Sequence, residues 1–243
     1  MPSTTRVAGS TGRLNTRSCF VAALAVFGLC YSLGAPGATP AACPAAPSGC
    51  PNITNSPALV AANTTVSIQI LGTPPSGVST LLSNAIAAVN ANSTVTAQGN
   101  TFGLTTSSSS FTVQFDTTTT TPGCGCVADS GVPQLGANST LTGVTLVVYL
   151  AATGCPGACF SSPGSAAWNN AVQGTLTHEL LHMVGEPDLA PSTVSQTLND
   201  IMEQFSGTNN ANNPTLVISN CDNSILTIMR NFFKAGNYCT TSK

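Results

Sequence analysis

Charge is what this chain has least of: six Lys and Arg, eight Asp and Glu and two His among 243 residues, so that 6% of the chain is charged. Three of the six cations, Arg6, Arg13 and Arg17, precede an apolar run over residues 19–33 and a small-residue stretch over 34–38, the pattern of a secretory signal. Residues 1–38 are therefore read as a leader, with cleavage between Ala35 and Ala42. Beyond it remain Arg230, Lys234 and Lys243 against eight carboxylates, a formal charge of −5. Three cations cannot neutralise a phosphate backbone, which excludes nucleic acid as a principal partner. No later apolar run approaches the roughly 20 residues of a membrane helix, so stable membrane association is not expected. Histidine is equally scarce. No third histidine exists, which excludes a three-His metal site within the chain.

The two histidines that do exist share one pentapeptide, His178-Glu179-Leu180-Leu181-His182. With three glutamates in the chain, chance placement of this grouping is on the order of 10⁻⁴. Residues i and i+4 share one helix face about 6 Å apart along the axis, so both imidazoles can reach one metal ion. Zinc accepts His nitrogens at about 2.0–2.1 Å and, in catalytic sites, takes three protein ligands and leaves one position open. Glu179 sits beside the first ligand, placed to take a proton from water. Gly185 can end the helix in the left-handed conformation and Pro187 stops it resuming, which turns Asp188 back toward the histidines. Asp188 is the favoured third ligand. Glu203 and Asp200, 21 and 18 residues past His182, are the alternatives. Glu186 points away from Asp188 in a tight turn and is read as a rim or substrate-facing carboxylate.

The run H-E-x-x-H-x-x-G-x-x-D resembles the metzincin zinc peptidases, in the snapalysin-like version where Asp replaces the third His. Residues 199–205 look like the Met-turn of that family, and the resemblance implies that Met202 packs beneath the imidazoles. The nearest aromatic after Met202 is Phe205, without a hydroxyl, so the site looks more like the matrixin arrangement than one with a tyrosine switch. Gluzincins place a ligand Glu at the spacing of Glu203, but the further carboxylates they pair with it are missing. Over residues 60–240 the resemblance implies an α+β zincin. Its expected parts are a twisted mixed sheet with two helices and a small C-terminal subdomain with the Met-turn and a last helix.

The elements read from periodicity agree with that order. Strands are expected over Thr65–Leu71, where Val66, Ile68 and Ile70 alternate, and over residues 94–97, Phe111–Asp116 and 141–150. Helices are expected over Val78–Ala91, 168–184 and 223–234. Segment 125–129 is the candidate edge strand beside the cleft, and 151–167 a Gly/Pro/Cys loop framing it. The division is a leader, a Pro/Ala/Cys-rich segment over 39–60, and a catalytic domain over 61–243.

Eight cysteines follow the leader, and an even count behind a signal implies disulfides. Cys43 with Cys50 and Cys221 with Cys239 are the expected local pairs. Cys124 and Cys126 are expected to cross-pair with Cys155 and Cys159, a structural zinc cluster being the alternative. Sequons at Asn52, Asn63, Asn92 and Asn138 and the Ser/Thr runs at 105–110 and 117–121 suit a glycosylated surface. The expected protein is a secreted, monomeric Zn²⁺ endopeptidase acting on protein or peptide substrates, with Glu179 as base. The rival is a non-catalytic secreted or wall protein that retains the fold.

Overall fold

The structure, a computed structural model, describes residues 39–53, 58–118, 128–130, 133–136, 140–150, 164–189, 201–202 and 218–239. Strand β1 is Thr39–Pro40 and β2 is Thr65–Leu71, where the alternation buries Val66 and Ile68 completely. Gly77, at φ 84°, turns the chain into helix α1, Val78–Ala91. Its buried residues include Leu81, Leu82, Ala85, Ile86 and Val89, the face that helical spacing implied.

Residues 94–97 are not the strand expected from their β-branched side chains. They fall on a short helix, α2, over Ser93–Thr96. The Asn92 side chain accepts the N–H groups of Thr94 and Val95 at 2.9 and 3.0 Å, and this local cap outweighs strand propensity. The strand comes later, as β3 over Thr101–Thr105. Then follow β4 (Phe111–Asp116), β5 (Ala128–Ser130), β6 (Gln134–Leu135), β7 (Leu141–Tyr149), helix α3 (Ala166–Met183), helix α4 (Asn220–Lys234) and β8 (Asn237–Tyr238).

The main sheet runs β3-β2-β4-β7-β5, with β6 also pairing β7. Strands β3, β2, β4 and β7 are parallel and β5 runs antiparallel to β7. The result is a mostly parallel sheet with few helices, an arrangement compatible with a zincin. Part of the candidate edge segment 125–129 lies outside the described residues. Its end, Ala128 and Asp129, lies in β5 at the sheet margin. Helix α1 packs on α3, with an Asn84 to Gln173 side-chain hydrogen bond at 3.3 Å. The apolar core between sheet and helices includes Ile68, Leu82, Leu146, Leu176 and Leu180.

The disulfides correct the expected pairing. Cys43 bonds Cys239 and Cys50 bonds Cys221, across 196 and 171 residues. Parallel pairing of β1 with β8 carries Cys43 to Cys239, so tertiary approach overrides sequence proximity. Cys124, Cys126, Cys155 and Cys159 lie outside the described residues. The N-terminal segment is thereby stitched to α4 and continues into the body of the fold. Ile53 forms a β-bridge with Leu189, and Val60 N–H donates to Met183 O at 2.8 Å. Among the described residues no helix is long and apolar enough to cross a membrane.

Candidate metal centre

Helix α3 is capped at its start by Ser165, whose hydroxyl accepts the Trp168 N–H at 3.2 Å. Its last two turns carry His178, Glu179 and His182. The helix closes with paired hydrogen bonds, Glu186 N–H to Leu181 O at 3.1 Å and Gly185 N–H to His182 O at 3.0 Å. This is the Schellman pattern, and it needs a left-handed residue, supplied by Gly185 at φ 95°. The reversal delivers Asp188 to the histidine face. Its Oδ1 lies 3.3 Å from His178 Nε2 and 3.4 Å from His182 Nε2.

Each imidazole is aimed by a backbone carbonyl. His178 Nδ1 donates to Ile201 O and His182 Nδ1 donates to Glu186 O, both at 2.7 Å. A carbonyl can only accept, so Nδ1 carries a proton and Nε2 is the ring atom that faces Asp188. The rings stand edge to face, with centroids 4.5 Å apart. One donor atom from each of His178, His182 and Asp188 falls within 4.8 Å of the others.

This donor set fits zinc. Tetrahedral bonds of about 2.0–2.1 Å place neighbouring ligand atoms about 3.3–3.4 Å apart, the separation of Oδ1 from both nitrogens. Electrostatics agree with a cation site. Burial alone would lower the His182 pKa, but the Asp188 carboxylate outweighs it and raises the imidazole to about 9. Burial likewise opposes ionisation of Asp188, and the two histidines, His182 foremost, hold it well below the usual carboxylate range. A proton and a metal ion thus compete for the same Nε2 position. The His178 side chain is 6% exposed, whereas His182 and Asp188 keep 18% and 25%, so the centre opens on one side.

Glu179 is half-buried and, with His182, borders an apolar recess lined by Pro133, Leu141, Val144 and Leu146. Met202 is fully buried, and its carbonyl accepts the Leu189 N–H at 2.9 Å. It directly follows Ile201, the residue that orients His178. Asp200, Glu203 and Phe205 lie outside the described residues. Glu186 is a correction. It has no exposed surface and so is neither rim nor substrate-facing, because the Schellman turn directs that position into the core. Sequence reasoning missed the carbonyls of Ile201 and Glu186. Every residue carries a carbonyl, so no residue type signals that one of them will hold a ligand.

No protein-family model matches the chain and no curated protein matches it. Among solved structures the chain is similar to two of myroilysin. Both are 13% identical and cover 70% of this chain, with 94% and 85% of their own lengths aligned. Their TM-scores are 0.38 and 0.40. At those values the likeness carries no argument about activity, and the functional reading rests on the site itself.

Proposed function

We propose that this chain is a zinc-dependent endopeptidase acting outside the cytoplasm. The observation that carries the reading is the convergence of His178 Nε2, His182 Nε2 and Asp188 Oδ1, with both rings held by carbonyls and Glu179 beside them. These three residues would hold the ion. Bound there, zinc supplies Lewis acidity, polarising a scissile carbonyl and bringing the pKa of water toward about 7.

The rest belongs to the chain's own groups. Glu179, one residue from His178 and bordering the recess, accepts a proton from the attacking water on its carboxylate and returns it to the departing amine nitrogen. The carbonyls of Ile201 and Glu186 keep the Nδ1 protons in place and prevent the rings from rotating. Apolar side chains, among them Pro133, Leu141, Val144 and Leu146, border Glu179 and His182 and keep that side of the centre apolar. Met202, buried next to Ile201, serves as an apolar floor for the imidazoles. Two disulfides suit an oxidising compartment.

Metal content of the purified secreted protein, measured with casein cleavage in the presence and absence of chelator, tests the reading. One zinc per chain and chelator-sensitive, zinc-restored cleavage are expected. A metal-free protein, or cleavage indifferent to chelator, would overturn it.

A further inference from the structure

Among the described residues the main sheet ends on β3, so one side of that strand has no neighbouring strand. Backbone groups on such a margin are a template for another chain, and sheets ordinarily blunt them with Lys, Pro or a bulge. None of these devices is present on β3. No Asp, Glu, Lys or Arg occurs between Arg17 and Asp116, and Thr101–Thr105 contains no proline. The register of β3 on β2 runs without a shift from Thr101 to Thr105.

Thr101 N–H donates to Thr64 O at 3.1 Å, which sets the alternation along the strand. Thr101, Gly103 and Thr105 direct their N–H and C=O groups to β2, and Phe102 and Leu104 direct theirs outward. At Phe102 both outward groups are taken by one side chain. Asn90, in the last turn of α1, accepts the Phe102 N–H on Oδ1 and donates from Nδ2 to Phe102 O, each at 2.8 Å. Those are the two bonds that a residue of an adjacent antiparallel strand would make. Leu104 is the next outward residue, and its side chain is 45% exposed.

We propose that Asn90 is an autoinhibitory cap: its amide stands in for a strand at Phe102 and bars a second copy of this chain from pairing β3 with β3. Residues 101–105 read Thr-Phe-Gly-Leu-Thr, nearly the same pattern in both directions. Turned antiparallel about Gly103, Phe102 of each copy meets Leu104 of the other, and threonine meets threonine at both ends. Each hydrogen-bonded pair of that register requires a Phe102, so one Asn90 per chain blocks all of them. No charge on the strand opposes the pairing, which leaves the amide as the barrier. The arrangement is two-fold and closes at the dimer.

Light scattering on the full secreted chain, parent and Asn90→Ala, over a dilution series tests the proposal. Alanine suits a helix and water can reach the Phe102 groups that it frees, so the variant should fold. The parent should stay monomeric, and Asn90→Ala should move toward twice the parental mass as concentration rises. Adding Leu104→Lys sets a cation in the pairing register and should return the monomer without restoring Tm, a separation that a purely structural Asn90 would not give. Amide hydrogen exchange reads the cap in the parent itself: Phe102 N–H should exchange slowly and Leu104 N–H rapidly. The proposal is overturned by a folded Asn90→Ala that stays monomeric at the highest concentration, by association that persists with Leu104→Lys, or by equally rapid exchange at both amides. A monomeric Asn90→Ala that instead binds an added, unrelated strand-forming peptide would give the edge to a foreign strand, which also overturns the second-copy reading.

Discussion

Glu179 and Asp188 are both partly open carboxylates beside the same imidazoles, and their positions assign them different work. Asp188 Oδ1 lies 3.3–3.4 Å from both Nε2 atoms, whereas Glu179 borders the recess. Asp188→Ala should therefore strip the metal, read as zinc per chain after dialysis. Full retention, with loss in Glu203→Ala instead, would transfer the third ligand to Glu203. Glu179→Gln should behave oppositely. Its amide keeps the shape but cannot take a proton, so zinc content should match the parent while peptide cleavage drops about 10²–10⁴-fold. Cleavage at the parental rate would remove Glu179 as base. For Met202, buried with no exposed surface, the nearly volume-conserving Met202→Leu should cost under about 1.5 kcal/mol in thermal unfolding and leave zinc bound.

Among the elements, the junction of α3 with its turn governs the centre most directly. Gly185 has φ 95°, and a Cβ there would lie 3.3 Å from Leu59 Cβ. Gly185→Ala should lower stability by about 1–2 kcal/mol from backbone strain alone. It should also reduce zinc occupancy, since the turn carries both the Glu186 carbonyl and Asp188. Unfolding curves and metal content on the same samples check this, and an unchanged metal content would show that the turn tolerates a left-handed alanine. Helix α3 was legible because H-E-x-x-H, Gly185 and Pro187 specify a face and a stop within a few residues. Helix α2 was not, because Thr94, Val95 and Thr96 favour a strand by propensity and a single Asn92 cap reverses them. The start of α4 was legible in principle. Ser219 and Asp222 form a capping box, with Ser219 N–H donating to Asp222 Oδ2 at 2.6 Å, three residues before the helix expected from apolar spacing.

At the scale of the whole molecule, two disulfides bind the N-terminal segment to α4 and its following strand. Cys50→Ser with Cys221→Ser opens a loop of 171 residues and should cost about 2–5 kcal/mol in denaturant unfolding. Because Ile53 bridges Leu189, next to Asp188, the same variant should also release zinc more readily. Equal metal retention would mean that the segment supports the fold without supporting the centre. What the sequence determined by itself is local: a helical spacing of four that puts two imidazoles on one face, a glycine that turns the chain, and an aspartate three residues on. Those features act through bonds and contacts within eleven residues, so their geometry follows from backbone rules alone. The tertiary structure decided the cysteine partners, the burial of Glu186 and the choice of Ile201, 23 residues from His178, to hold that ring. Each of these depends on which distant segments pack together. Approach in space selects them, and neither residue type nor spacing along the chain encodes it.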